Sequence, residues 1–110
     1  MKQHNYFVYI TTNPSKEVLY IGVTNFLQQR LIEHYLNKGK NNSFAGKYYC
    51  YNLLYFEKHT WIINAISREK QFKRWSRKKK IKLIMIENPD LKFLNDTIME
   101  WKPAIDWKSR

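Results

Sequence analysis

YFVYITTNPSKEVLYIGVTNFLQQRLIEH, residues 6–34, holds two short runs of aromatic and β-branched residues, Tyr6–Ile10 and Val18–Val23, separated by Thr11 to Glu17. Such residues favour extended chain, and Asn13-Pro14-Ser15 between them signals a turn, so the stretch predicts a β-hairpin. With a loop of Asn13 to Lys16, Thr12 faces Glu17 and Tyr9 falls directly opposite Tyr20, which sets two phenols side by side on one face of the sheet. That register is an assumption, and a slip of one residue would undo it.

Thr24-Asn25 offers a helix N-cap, and Phe26 to Leu36 follows with helical spacing. Leu27, Leu31, Ile32, Tyr35 and Leu36 make the apolar side, while Arg30 and His34 share a ridge at its border. Because Gly22 ends the second strand just before this helix, the helix N-terminus and the Arg30/His34 ridge can face the tyrosine pair. Donors and titratable groups gathered in this way suit a phosphate.

Val8-Tyr9-Ile10, then Tyr20-Ile21-Gly22, then Arg30 and His34, and later Glu69 within Arg68-Glu69-Lys70, together resemble the GIY-YIG nuclease superfamily, most closely its small single-domain bacterial members related to the nuclease module of excision-repair enzymes. The resemblance runs from about Tyr6 to Ile86. Phe7 stands where the first motif's glycine is expected. The resemblance and the strand and helix pattern together imply an α/β (α+β) domain, a small three-stranded, mainly antiparallel sheet flanked by helices. We expect residues 1–95 to form that domain and residues 96–110 to pack on it as a tail or to be partly loose.

The chain has 110 residues, 44% of them hydrophobic and 16% aromatic, which suits one folded domain with a modest core. Twenty Lys and Arg against nine Asp and Glu give a formal net charge of +11, a balance that draws a protein to polyanions, most commonly nucleic acid. No apolar run is long enough to span a bilayer; Leu83-Ile84-Met85-Ile86 is far too short, and a membrane partner is not expected. Met1 to Ile10 lacks the apolar core and cleavage site of a signal peptide, which points to a cytoplasmic location. Cys50 is the single cysteine, without partners for a thiolate zinc site, and reads as a small core residue.

Leu36 to Lys47 is polar, basic and glycine-bearing and reads as a surface loop whose Lys38, Lys40 and Lys47 can reach a phosphate backbone. Tyr48 to Glu57 predicts a third strand, entered around Tyr51, with Leu53 and Tyr55 on one face and Leu54 and Phe56 on the other. Aromatics among basic residues can stack on unpaired bases; for Tyr51 and Tyr55 packing is the better reading, while Tyr48 and Tyr49 stay open. Trp61 to about Trp75 reads as a helix capped by Thr60, with Ile62, Ala65, Ile66 and Phe72 as its apolar stripe. Glu69 falls close to the centre of that stripe. A carboxylate there must find a cation, a metal or a hydrogen-bonding network, Arg68 and Lys73 being the nearest cations.

Between Arg68 and Lys82 nine basic residues face one acid, Glu69. Within this run Lys70, Lys73, Arg74, Arg77, Lys78, Lys79 and Lys80, with Lys47 from the loop, are the candidate nucleic-acid contacts, since phosphate neutralisation dominates non-specific affinity. Ser76 caps a third helix from Arg77 to about Glu87, with Ile81, Ile84 and Met85 inward, and Asn88-Pro89-Asp90 stops it. Leu91 to Asn95 is expected to make another short helical turn. The last residues, with Trp101, Pro103 and Trp107, show no periodicity.

The resemblance adds a reaction to these residues: metal-dependent endonucleolytic hydrolysis of a DNA phosphodiester, compatible with repair or recombination. It implies Glu69 as the protein ligand of one divalent ion, Mg2+ or Mn2+, and Arg30 as the group that stabilises charge on the phosphoryl. Tyr9 is the candidate for deprotonating the attacking water and Tyr20 for orienting water or phosphate; His34 is the alternative base, or orients a tyrosine. Read without the resemblance, Tyr9 is a sheet aromatic, His34 a partly exposed polar residue, and Arg30 a salt-bridge partner of Glu33 or Glu57. The expected partner is DNA, with a separate targeting protein compatible with so small a chain, and the assembly is expected to be a monomer or weak oligomer. The alternative function is a non-catalytic nucleic-acid-binding module on the same scaffold, and an RNA- or ribosome-associated protein ranks third.

Overall fold

The first aromatic run becomes β1 (Tyr6–Thr12), the central strand of a three-stranded sheet in the order β2-β1-β3. The computed structural model describes residues 5–99. Within them β1 is followed by β2 (Leu19–Thr24), α1 (Leu27–Leu36), the one-turn α2 (Phe44–Lys47), β3 (Asn52–His59), α3 (Ile62–Arg74), α4 (Arg77–Glu87) and α5 (Asn95–Met99). Both strand pairings are antiparallel, so the sheet is wholly antiparallel. Trp101, Pro103 and Trp107 lie outside the described residues.

The hairpin register differs from the expected one by two residues. Tyr9 pairs with Gly22, and Tyr20 pairs with Thr11. The reason lies in the loop, which is longer than Asn13 to Lys16: Asn13 Oδ1 accepts from the backbone N–H groups of Glu17 and Val18, and Lys16 takes a positive φ of 61°. This side-chain bond holds the chain away from the ladder until Leu19.

A bulge between Ile10 and Thr11 shifts the pairing with β3, so that Ile10 faces Tyr55 while Thr11 faces Leu53. Leu53 therefore packs with Tyr9, Leu27, Leu31 and Met99, whereas Leu54 and Tyr55 join Val8, Ile10, Ile21, Ala65, Phe72 and Ile84. Simple alternation had put Leu53 and Tyr55 on one face; the bulge overturns that. The outer edge of β3 is covered by two buried asparagines. Asn95 accepts from Leu53 N–H and donates to Tyr51 C=O, and Asn88 donates to Leu54 C=O, which removes an exposed pairing edge.

Several helix boundaries and faces also move. Phe26, not Thr24 or Asn25, occupies the N-cap of α1, and Thr24 Oγ1 serves instead by accepting from Phe26 N–H at 3.1 Å. Trp61, not Thr60, precedes α3. Of the expected α3 stripe Ala65 and Phe72 are buried, while Ile62 and Ile66 stay largely exposed; Met85 of α4 and Leu36 of α1 also face out. Residues 91–94 form no helical turn, because Leu91 adopts a positive φ of 50° and the helix begins at Asn95. Ser76 does cap α4, accepting from Lys79 N–H at 3.2 Å, and Cys50 is buried, its thiol pushed up to about 11 by that burial.

Candidate active site

Tyr9 projects from the middle of β1 over Gly22, and the missing side chain of Gly22 is what makes room for it. A Cβ at position 22 would lie 2.5 Å from Tyr9 Cζ and 2.9 Å from Cε1. The phenol thereby crosses the hairpin and reaches α1, where Tyr9 Oη lies 2.8 Å from His34 Nε2. Tyr20, two residues before Gly22 and on the same face, sits with its ring centroid 6.2 Å from Tyr9 and 5.4 Å from His34. Tyr9 is 1% exposed and His34 8%, so His34 is a buried member of this cluster rather than a residue at the border of its helix.

Burial sets the charge states. Desolvation first, and the nearby Arg30 guanidinium second, bring the His34 imidazole down to about 4 against the pull of Glu33, so the ring is neutral at pH 7. The Tyr9 phenol is held well above the usual tyrosine range, mainly by burial and then by Tyr20; Arg30 pulls it down and Glu69 pushes it up. With both groups neutral, one proton lies between Oη and Nε2: on Tyr9 when the imidazole is protonated at Nδ1, on His34 in the other tautomer. The same electrostatics show that Arg30 and Glu69 act on the Tyr9 phenol from α1 and α3. Tyr9, Tyr20 and His34 thus meet on one face of the hairpin, the face that α1 covers, whereas Glu69 comes from α3, whose Ala65 and Phe72 pack with Val8 and Ile10 on the other face.

Glu69 is not in the core. Its side chain is 21% exposed at the rim of the cluster, with Lys73 Nζ 3.4 Å from Oε2 one turn further along α3. Arg68 turns instead to Glu57, donating from Nε at 2.8 Å, and Glu57 also receives the Tyr55 hydroxyl at 2.6 Å. Burial opposes the Glu57 charge, but these hydrogen bonds and the one with His59 outweigh it and hold the carboxyl below its ordinary value. Among the described residues Glu69 has the longer lysine contact, beyond the about 2.7–2.9 Å of a direct charge-assisted hydrogen bond. Arg30 meets Glu33 at 3.5 Å with both side chains 45% exposed, a loose surface pair rather than a fixed one. No group of three or more His, Cys, Asp or Glu side chains suited to a metal occurs among the described residues. A lone carboxylate fits magnesium-type binding, in which waters and substrate phosphate complete the shell.

The family model for the GIY-YIG catalytic domain matches residues 5–82, a span that contains Tyr9, Tyr20, Gly22, Arg30, His34 and Glu69. The chain belongs to the GIY-YIG family. This is a nuclease family whose members act on DNA. A UPF0213 protein of Bacillus pumilus (strain SAFR-032) is 36% identical over 80 residues, covering 73% of this chain and 79% of that protein. The solution NMR structure of a UPF0213 protein from Bacillus halodurans shares the fold, with a TM-score of 0.51 and 22% identity, covering 86% of this chain and 95% of that one.

Phe7, at the expected first glycine of the GIY-YIG motif, sits in regular β1 backbone opposite Thr24 and packs edge-on against Phe56, ring centroids 6.2 Å apart. Its φ is not positive, so nothing in the strand demands glycine there. Of the basic candidates, Lys73 and Lys80 border a groove of about 300 Å³ with Leu19, Tyr20, Ile21 and Phe44, which sets two cations beside the GIY-YIG tyrosine cluster. Arg77 is occupied otherwise: its guanidinium donates to Lys16 C=O at 2.6 Å and Glu17 C=O at 2.7 Å and clamps the hairpin loop. Lys79 lies over the Trp75 ring at 4.4 Å and Lys47 over Tyr48 at 5.3 Å. Arg74 lines a separate polar cavity with His59, Asn64, Ser67, Arg68 and Gln71, and Lys70 and Lys78 are exposed.

The loop reading of residues 36–47 missed Phe44. Ser43 caps the short α2, accepting from Gly46 N–H at 3.1 Å, and Phe44 stacks on Tyr20 with centroids 6.1 Å apart and planes 23° apart. Ser43 ahead of a short run was the available signal, and four residues were too few for periodicity to register.

Proposed function

We propose that this protein is a divalent-metal-dependent endonuclease that hydrolyses DNA phosphodiester bonds. The observation that carries the reading is the Tyr9–His34 pair, buried together over Gly22 beside Tyr20, with Arg30 and Glu69 near enough to act on the charge of the phenol. A structural aromatic cluster has no need of a neutral histidine whose ring nitrogen meets a phenol at hydrogen-bond distance.

In this scheme Tyr9 Oη takes a proton from the attacking water as its own proton passes to His34 Nε2, with the imidazole starting as the Nδ1–H tautomer. Neither group must hold a full charge before the reaction, which accords with burial penalising both ionised forms. Tyr20, less buried than Tyr9 and on the groove, orients water or a phosphate oxygen. Arg30, loosely paired with Glu33, is free to swing onto the phosphoryl group as its charge grows. Glu69 is the side chain that would hold Mg2+ or Mn2+, and the ion, when bound, supplies Lewis-acid stabilisation of the phosphoryl oxygens. Lys73 and Lys80 hold the DNA backbone at the mouth of the site.

The test is incubation of the purified protein, beside Glu69→Ala, with plasmid, branched and single-stranded DNA in magnesium, manganese or chelator. Metal-dependent cleavage by the parent and not by the variant supports the reading. Salt-sensitive DNA binding with no product on any substrate refutes it.

A further inference from the structure

Phe44 is an odd residue to leave in water. It is 51% exposed and Tyr48 beside it is 40% exposed, their ring centroids 4.7 Å apart. The exposure is held rather than incidental, because backbone bonds pin the turn beneath it. Gly39 N–H donates to Gly46 C=O at 2.8 Å and Cys50 N–H to Ala45 C=O at 2.9 Å, while Ala45 and Gly46 are buried. A Cβ on Gly46 would lie 2.7 Å from Asn37 O and 2.8 Å from Lys40 O, so α2 is seated tightly on the loop before it. The rings then run in sequence from the buried Tyr9 and His34 through Tyr20 and Phe44 to Tyr48.

We propose that Phe44 and Tyr48 form a stacking platform for an unpaired nucleobase of the DNA strand entering the catalytic site, so that the preferred substrate carries a single-stranded segment there. The inference rests on the nuclease reading above and names the substrate class of that site. An aromatic ring face accepts any base, and stacking on it is sequence-tolerant; the Phe44 and Tyr48 planes are tilted 49° to each other, so a base stacks on a ring face rather than across both rings. The surrounding charge selects nucleic acid over an apolar protein partner: Lys73 and Lys80 border the groove next to Phe44, and Lys47 Nζ lies over the Tyr48 ring. A paired base hidden inside a duplex has no free face to offer, so the platform discriminates between paired and frayed DNA. It does so independently of the Glu69 chemistry.

The experiment measures binding of the full chain, in chelator, to a blunt duplex and to the same duplex with a single-stranded overhang carrying 2-aminopurine. A third probe replaces the overhang bases with abasic sites. The parent should bind the overhang roughly fivefold to 100-fold more tightly than the blunt end, and 2-aminopurine fluorescence should be quenched by stacking. Phe44→Leu keeps an apolar contact with Tyr20 but no aromatic face, and should lose both the preference and the quenching, while Phe44→Tyr restores them. Should the leucine variant fold poorly, the abasic probe decides with the parent alone, since its affinity should drop to that of the blunt end. Equal affinity of the parent for overhang, abasic and blunt probes, or quenching that survives Phe44→Leu, overturns the platform. Cleavage in magnesium is scored separately on the blunt and overhang probes, so a failed platform with cleavage and a working platform without cleavage are distinct results.

Discussion

Replacing Gly22 with alanine tests the arrangement at its narrowest point. Two effects oppose one another. Gly22 does not have a positive φ, so alanine is allowed on backbone grounds and, by restricting the unfolded chain, would stabilise by about 0.4–1 kcal/mol in open space. The space is not open: the new Cβ would overlap the Tyr9 phenol, 2.5 Å from Cζ, and that ring is 1% exposed and cannot swing into solvent. Overpacking of this kind costs about 1–3 kcal/mol. Pushing Tyr9 away from His34 also breaks a buried hydrogen bond worth about 0.5–1.5 kcal/mol. The clash wins, and a net loss of about 1–3 kcal/mol is expected, or a fall in Tm on the order of 10 °C for a domain of this size.

Urea unfolding of the parent, Gly22→Ala, Tyr9→Leu and the double variant closes a thermodynamic cycle. With the aromatic ring gone the alanine has nothing to strike, so its penalty should shrink or reverse sign, giving a coupling of about 1–3 kcal/mol between positions 22 and 9. If Gly22→Ala is as stable as the parent, or if the two substitutions simply add, the Tyr9 phenol does not lie over Gly22 and the site geometry is wrong.

His34 gives a pH signature. Its folded pKa of about 4 lies below the ordinary 6.5, so below pH 6.5 the unfolded chain takes up a proton that the folded site refuses. Stability should therefore be complete above that pH and fall by roughly 1–3 kcal/mol as pH drops towards 4, a component that unfolding curves of His34→Asn should lack. Arg30→Ala should lower the single-turnover cleavage rate by about 10²-fold or more while DNA affinity changes little; a pure binding defect would remove Arg30 from the chemistry. Lys73→Ala with Lys80→Ala should weaken DNA binding and flatten its dependence on salt, by a slope change of about 2 in a logarithmic plot. Arg77→Ala should instead cost stability, because its two carbonyl partners hold the hairpin loop, and a large change in salt slope for this variant would contradict that role.

Which features could be read from the chain depends on what each one is sensitive to. The tyrosine pair survived a register error because the error was two residues, and side chains on a strand repeat every two. Tyr9 and Tyr20 therefore share a face under either pairing, though only the observed one sets Gly22 beneath the phenol. A bulge breaks that protection, which is why alternation grouped Leu53 with Tyr55 and Leu54 with Phe56, whereas the fold packs Leu53 with Phe56 and Leu54 with Tyr55. Depth was the harder quantity. Helical spacing puts Arg30 and His34 on one ridge, yet Arg30 stays at the surface and His34 is buried, because only His34 lies where the Tyr9 hydroxyl can meet it.

The same limit explains the basic run. Nine cations between Arg68 and Lys82 announce a polyanion partner, but composition is silent on which of them the fold has already engaged. Arg68 is committed to Glu57 and Arg77 to the hairpin loop, whereas Lys73 and Lys80, a lysine on each of two successive helices, arrive beside Tyr20. A pair so placed is a more specific statement than a charged stripe. It brings the polyanion to the β2 side of the sheet, beside the Tyr20 that adjoins the buried phenol and neutral imidazole and one helical turn from the Glu69 carboxylate, and so ties the affinity of this domain to its chemistry.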